Sequence, residues 1–149
     1  MNGTAHTINT DLPKPEDPVN HPSHYTGGPS LGTLECLDIT RILPFDLGNA
    51  FKYVWRAGKK NPEKAVEDLK KAEFYLNDWW KMTKMLQVAV YPKEAFLLAY
   101  TLFKRIENAP MNDGLEKTRF YALEAIIREQ TYEANELILR MESMFNDRA

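Results

Sequence analysis

Apolar positions along this chain recur at three- and four-residue intervals, and no stretch keeps the two-residue period of a strand, so the pattern predicts helices throughout. Over residues 33–43, Leu34, Leu37, Ile39, Ile42 and Leu43 describe a helical stripe that Pro44 ends by withholding a backbone donor. Asp46 is placed to cap a second helix over residues 47–57, with Leu47, Ala50, Phe51 and Val54 on one face and Gly58 as a left-handed exit. Asn61 then Pro62 opens a third, a cap followed by proline at the first helical position, and Ala65, Leu69, Ala72, Leu76, Trp79 and Trp80 carry its rhythm to about residue 84. Two more segments follow, 92 to about 108 and 113 to about 145, the last as one long helix or two nearly collinear ones.

The expected architecture is all-α with about five helices. Proline-rich residues 1–18 read as a flexible arm, and residues 19–32, with two histidines, as an irregular loop. A first module spans 19–84, and a helical C-terminal module spans 85–149, where the long apolar stripes suit a homo-oligomer interface as well as a core.

Composition narrows the function classes. A chain of 149 residues with 44% apolar and 27% charged positions is of globular type and can bury a core without disulfides or a structural metal. The apolar run over 95–103 falls far short of the roughly 20 residues that span a membrane, and the N-terminal residues lack a secretory pattern, so a cytoplasmic protein with no membrane partner is expected. A lone Cys36 rules out an internal disulfide and a multi-cysteine metal site. The net charge of −2 argues against holding duplex nucleic acid by blanket neutralisation of phosphates. Any anion site must be local, and Lys52, Arg56, Lys59, Lys60, Lys64, Lys70 and Lys71 gather positive charge into one stretch against Glu63, Glu67 and Asp68.

On the second helix, Asn49, Lys52, Tyr53 and Arg56 fall on the side away from the apolar face, with Lys59 and Lys60 just beyond its end. Arginine offers a planar fork matched to phosphate oxygens, lysine a mobile point charge, and asparagine a donor and an acceptor for a base or sugar. The plainer alternative is a solvated helix face, against which the poor helix formers Gly48 and Asn49 weigh slightly. His21 and His24, with Tyr25 next, can supply phosphate contacts, a general acid or two metal ligands, or simply bridge loop backbone. Glu35 and Asp38 lie one helical turn apart, and with Asp68 they can hold Mg²⁺ against phosphates or serve as surface acids paired with nearby cations. Tyr53, Trp55, Phe74, Tyr75, Trp79 and Trp80 offer rings for stacking or for the core. Gly58-Lys59-Lys60 lacks the upstream glycine and the hydroxyl of a P-loop.

Four segments, taken in order, resemble one family. Val19-Asn20-His21-Pro22-Ser23-His24-Tyr25, Glu35-Cys36-Leu37-Asp38, the run from Gly48-Asn49-Ala50 through Trp55-Arg56-Ala57-Gly58-Lys59-Lys60, and Asp68-Leu69-Lys70-Lys71-Ala72 with Tyr75-Leu76 are similar to the phage-encoded SaV-like nucleotide kinases. The resemblance covers about residues 19–80 and implies a phage protein in the host cytoplasm. By the characterised type, it also implies a deoxynucleoside monophosphate kinase without a P-loop that forms a large homo-oligomer. It further implies that His21, His24, Tyr25, Asn49, Lys52, Arg56 and Lys59 surround the nucleotide, with Glu35, Asp38 and Asp68 nearby. Arg56, Lys52 and Lys59 would then stabilise phosphoryl charge, His24 or His21 would handle a proton, and an acid would carry any Mg²⁺. Residues beyond about 85 carry no such likeness. Two other functions therefore stay open: a non-catalytic sponge that sequesters a cyclic or modified signalling nucleotide against bacterial defence, and an all-α nucleoside triphosphate pyrophosphohydrolase, to which Glu35-x-x-Asp38 points but whose second acid pair is not cleanly reproduced.

Overall fold

Local capping and proline decide where the helices of this all-α chain begin. The computed structural model describes residues 19–26, 34–85, 91–105 and 112–148; the arm over 1–18 lies outside the described residues. Among the described residues six α-helices follow in order: α1 Cys36–Thr40, α2 Phe45–Arg56, α3 Ala65–Trp80, α4 Lys93–Phe103, α5 Gly114–Ile127 and α6 Thr131–Asp147. Short 3₁₀ turns occupy Ser23–Tyr25 and Pro62–Lys64, and α3 loosens into a π-helical turn at Lys81–Met85.

Several elements differ from the sequence expectation, each for a local reason. The helix expected over 33–43 is only five residues long. It opens where the Glu35 backbone N–H donates to Asp38 Oδ2 at 2.9 Å, and it closes in tight turns in which Ile42 and Leu43 both bond the Ile39 carbonyl. Asp46 does not cap α2; the helix starts at Phe45 behind Pro44, and Asp46 is buried in its first turn. Burial, with Asp78 alongside, pushes the Asp46 carboxyl up to about 6. Asn61 takes the cap position but makes no side-chain cap bond, and Pro62 starts the 3₁₀ turn that feeds α3.

The largest departure is at the C-terminal end. α5 and α6 are not collinear: the chain reverses over Arg128–Gln130, with Glu129 at a left-handed φ of 57°, and the two helices pack against each other as a hairpin. Their apolar stripes then serve a common interior. Leu123, Ile126, Ile127, Ala134, Ile138 and Met141 share one continuous buried cluster with Leu47, Phe51, Trp55 and Leu69 of the first module. The core therefore runs across the expected 84/85 boundary. α2 and α3 pack side by side, α6 lies against α3 and α5 against α2. Phe103 of α4 closes the cluster between Phe51 and Phe120. Each fully buried side chain of this size contributes about 1.5–3 kcal/mol from burial alone, which makes α2 a rigid platform for whatever its outer side carries.

Candidate functional site

Helix α2 divides as the apolar spacing predicts. Leu47, Ala50, Phe51 and Val54 are buried, and Trp55 joins them. Gly48 is buried too. A Cβ there would stand 3.2 Å from the Thr40 carbonyl oxygen, so this glycine serves the close approach of α1 to α2.

The outer side of α2 meets the histidine turn. The Arg56 guanidinium donates through Nη1 to the Tyr25 hydroxyl and through Nη2 to Asp68 Oδ1, both at 3.0 Å. Asp68 and Arg56 show side-chain exposures of only 6% and 12%, so this is a largely desolvated ion pair linking α2, α3 and the turn. Burial works against the Arg56 charge, but the hydrogen bonds it donates to Asp68 and Tyr25, with their charges, outweigh it and the guanidinium is held above its usual value. Its Nε is buried without a partner, so one donor of the fork stays uncommitted in a place where an unmet donor costs about 1–3 kcal/mol. His24 packs its ring on Tyr25, centroids 4.1 Å apart.

Beside this pair lies a cavity of about 260 Å³ between the histidine turn, α1 and α2. His21, Tyr25, Glu35, Cys36, Thr40 and Lys52 are among its walls. His21 Nδ1 stands 2.7 Å from Glu35 Oε1, and an ionised carboxylate can only accept, so Nδ1 is the donor of this contact. Burial pushes the Cys36 thiol up to about 12 in spite of the Lys59 and Lys52 charges, which makes it a neutral, apolar piece of wall.

A second feature adjoins the first. Three cations surround the Tyr53 ring: Lys52 Nζ at 4.5 Å from its centroid, the Arg56 guanidinium at 4.7 Å and Lys71 Nζ at 5.5 Å. The ring lies parallel to Tyr75 at 6.0 Å, and Phe45 and Phe74 meet Tyr75 edge-on at 5.9 and 5.3 Å.

The structure therefore brings His21, His24, Tyr25, Lys52, Tyr53, Arg56 and Asp68 together, but not every residue singled out from the sequence. Asn49 turns back on its own helix, donating to the Phe45 carbonyl and accepting from Lys52 Nζ at 3.1 Å, so it positions Lys52. Lys59 folds over Trp55, 5.4 Å from the ring. Burial and the charge of Arg119 lower it to about 8. Glu35, Asp38 and Asp68 do not converge: Glu35 holds His21, Asp38 accepts from the Glu35 backbone and Asp68 is taken by Arg56. Among the described residues no group of three His, Cys, Asp or Glu side chains is arranged to hold a metal ion, so the acids do not fit the expected Mg²⁺.

Sequence reasoning missed Arg119. It is buried in α5 and donates to the carbonyls of Val54, Trp55 and Ala57, the last of them at 2.9 Å, thereby capping the C-terminal end of α2. Glu116 balances its charge from one turn away at 3.2 Å. Gly58 leaves the helix at φ 82°, and a Cβ there would come within 2.7 Å of the Phe145 ring, so α6 also seals this end. Glu116 at i−3 was the available sequence signal, and it says nothing about carbonyls more than sixty residues upstream.

Residues 19–77 match the model of a family described as a protein of unknown function, DUF3310. No curated protein and no solved structure matches the chain. The matched segment takes in α1, α2 and most of α3 with the histidine turn, which is the stretch that builds the cavity and its cations. No helix among the described residues is long and apolar enough to cross a membrane.

Proposed function

We propose that this chain is a nucleotide-binding protein that takes a deoxynucleoside monophosphate as phosphoryl acceptor, with the cavity between the histidine turn and α2 as its binding site. One observation carries the reading: Lys52 lines a cavity whose Tyr25 wall is hydrogen-bonded to Arg56, a desolvated arginine with an unmet Nε donor. Two cations beside an apolar recess suit a ligand with an anionic end and a flat, uncharged body. In the transfer, an acceptor phosphate oxygen attacks the γ-phosphorus of a nucleoside triphosphate and the bond to the β-bridging oxygen breaks, giving two diphosphates. Lys52 and Arg56 bear the charge that builds on the phosphoryl oxygens. The proton-handling role falls to His21, whose Nδ1 is held by Glu35, while His24 supports Tyr25.

Sequestration of a nucleotide without turnover is the second reading, favoured by the engagement of Glu35, Asp38 and Asp68 in local contacts. The pyrophosphohydrolase reading lacks the acid sets such chemistry requires among the described residues. Exposed Leu97, Leu98, Tyr132 and Leu139 on α4 and α6 support assembly into a homo-oligomer, which sedimentation at micromolar concentration checks.

The test is the fate of the ligand. Protein incubated with a deoxynucleoside monophosphate and a nucleoside triphosphate is denatured and its small molecules are identified by mass. Diphosphate products support transfer, and intact nucleotide recovered in stoichiometric amount supports sequestration. If no nucleotide is retained, and Arg56→Ala changes nothing, the reading is overturned.

A further inference from the structure

The cavity is small for its proposed ligand. Pockets that enclose a whole drug-sized molecule run from about 300 to 1,000 Å³. At about 260 Å³ this one falls just below that range. Lys52 faces two ways: it lines the cavity, and its ammonium stands 4.5 Å from the Tyr53 ring centroid. Arg56 does not line the cavity; it bonds the Tyr25 wall on one side and stands 4.7 Å from the Tyr53 ring on the other.

Beyond Tyr53 the surface is aromatic. Phe45 is 76% exposed and Phe74 66%, each edge-on to Tyr75, which lies parallel to Tyr53. Rings so exposed on the same helices whose inner faces pack fully are not explained by the core. They border positive charge: Lys52, Arg56 and Lys71 surround Tyr53, with Asp68 and Glu67 offsetting the latter two in part. Exposed rings beside cations are how proteins hold successive bases of a strand, with stacking on the rings and phosphate on the cations.

Building on the nucleotide reading, we propose that the full ligand carries two bases joined through a phosphodiester, one base in the cavity and the other on the Phe45–Tyr75–Phe74 surface, with Lys52 and Arg56 on the phosphate between them. Lys52 on the cavity wall and Arg56 behind its Tyr25 wall, both beside the Tyr53 ring, set this ligand class. Either the end of a single strand or a free cyclic dinucleotide presents that chemistry, and the arms of the test separate them.

The experiment compares the affinity of the full chain for deoxythymidine and deoxyadenosine 5′-monophosphates, for the 5′-phosphorylated dinucleotides of the same bases, and for cyclic di-AMP. It is repeated on Phe45→Ala and Phe74→Ala, and on Phe45→Leu and Phe74→Leu, which keep apolar bulk without a ring. A two-base probe is expected to bind at least about tenfold tighter than its monophosphate. The Ala and Leu variants should both lose that gain, while monophosphate affinity and helicity stay unchanged. Tightening by the linear probes assigns a strand end, and tightening by the cyclic probe assigns a cyclic dinucleotide. Monophosphate binding with no gain for any two-base probe overturns the inference and leaves the nucleotide reading standing. Binding of none of the probes overturns both. Variants that keep the gain, or that lower the assembled mass without touching affinity, also overturn it, the last by showing that a second copy of the chain covers the rings.

Discussion

Two arginines meet near the C-terminal end of α2, and they are used in opposite ways. Arg119 arrives from α5 and spends its fork on backbone: Val54, Trp55 and Ala57 carbonyls, with Glu116 as counter-charge. Arg56 belongs to α2 itself and spends its fork on side chains, the Tyr25 hydroxyl and Asp68, and keeps Nε unmet. Both are withdrawn from solvent, Arg119 the more completely, so burial alone does not tell their uses apart. The distinguishing property is whether the donors are closed by groups that cannot move away, such as helix carbonyls, or by side chains and a turn next to a cavity.

Substitution should separate the two. Arg119→Ala leaves buried carbonyls at the end of α2 uncapped, and urea unfolding followed by circular dichroism should show a loss of about 3–5 kcal/mol. Arg119→Lys keeps the charge without the fork and should fall in between. Arg56→Ala leaves Asp68 buried and unpaired, for a smaller loss of about 1–3 kcal/mol, but it should weaken nucleotide binding at least about tenfold by calorimetry. Equal effects of the two arginines on binding and stability would erase the comparison. Gly58→Ala should cost about 1–2 kcal/mol from its left-handed backbone, with the displaced Phe145 ring adding to that, and should leave affinity for the monophosphate unchanged.

A further effect is on the pH dependence. Lys59 is lowered to about 8 by burial, then by Arg119, from an ordinary 10.5, so between those values the unfolded chain binds the proton more tightly. The stability this group contributes therefore rises as pH climbs from about 8 to 10.5. Lys59→Met should be more stable than the parent chain below pH 8 and lose that advantage across the same window, as read from urea midpoints. A constant difference at all pH values would show that Lys59 is well solvated.

The pattern of apolar residues told most about α2 and α3, because their periodicity reports which face is inside whatever the neighbour is. Leu47, Phe51, Val54, Leu69 and Leu76 are all buried on that account. It told least where one spacing serves two purposes. Glu35 and Asp38, one turn apart, suit a metal or a helix start equally, and the structure uses them for the start. In the last segment the same stripe fits one long helix or a hairpin, and a left-handed Glu129 decides it without glycine to announce it. The cationic side of α2 was legible in outline, as Lys52, Tyr53 and Arg56. Asp68, Lys71 and Tyr75, at i, i+3 and i+7 on α3, complete it by a spacing that sequence shows but whose partner helix it does not.

The lock supplied by Arg119 and Phe145 bears on the order of events during synthesis. The segment that builds the cavity leaves the ribosome before α5 and α6, yet the carbonyls closing α2 are met only by side chains translated far later. Until α5 and α6 emerge, the last carbonyls of α2 lack these partners, so its Arg56 end is completed only when the later helices pack.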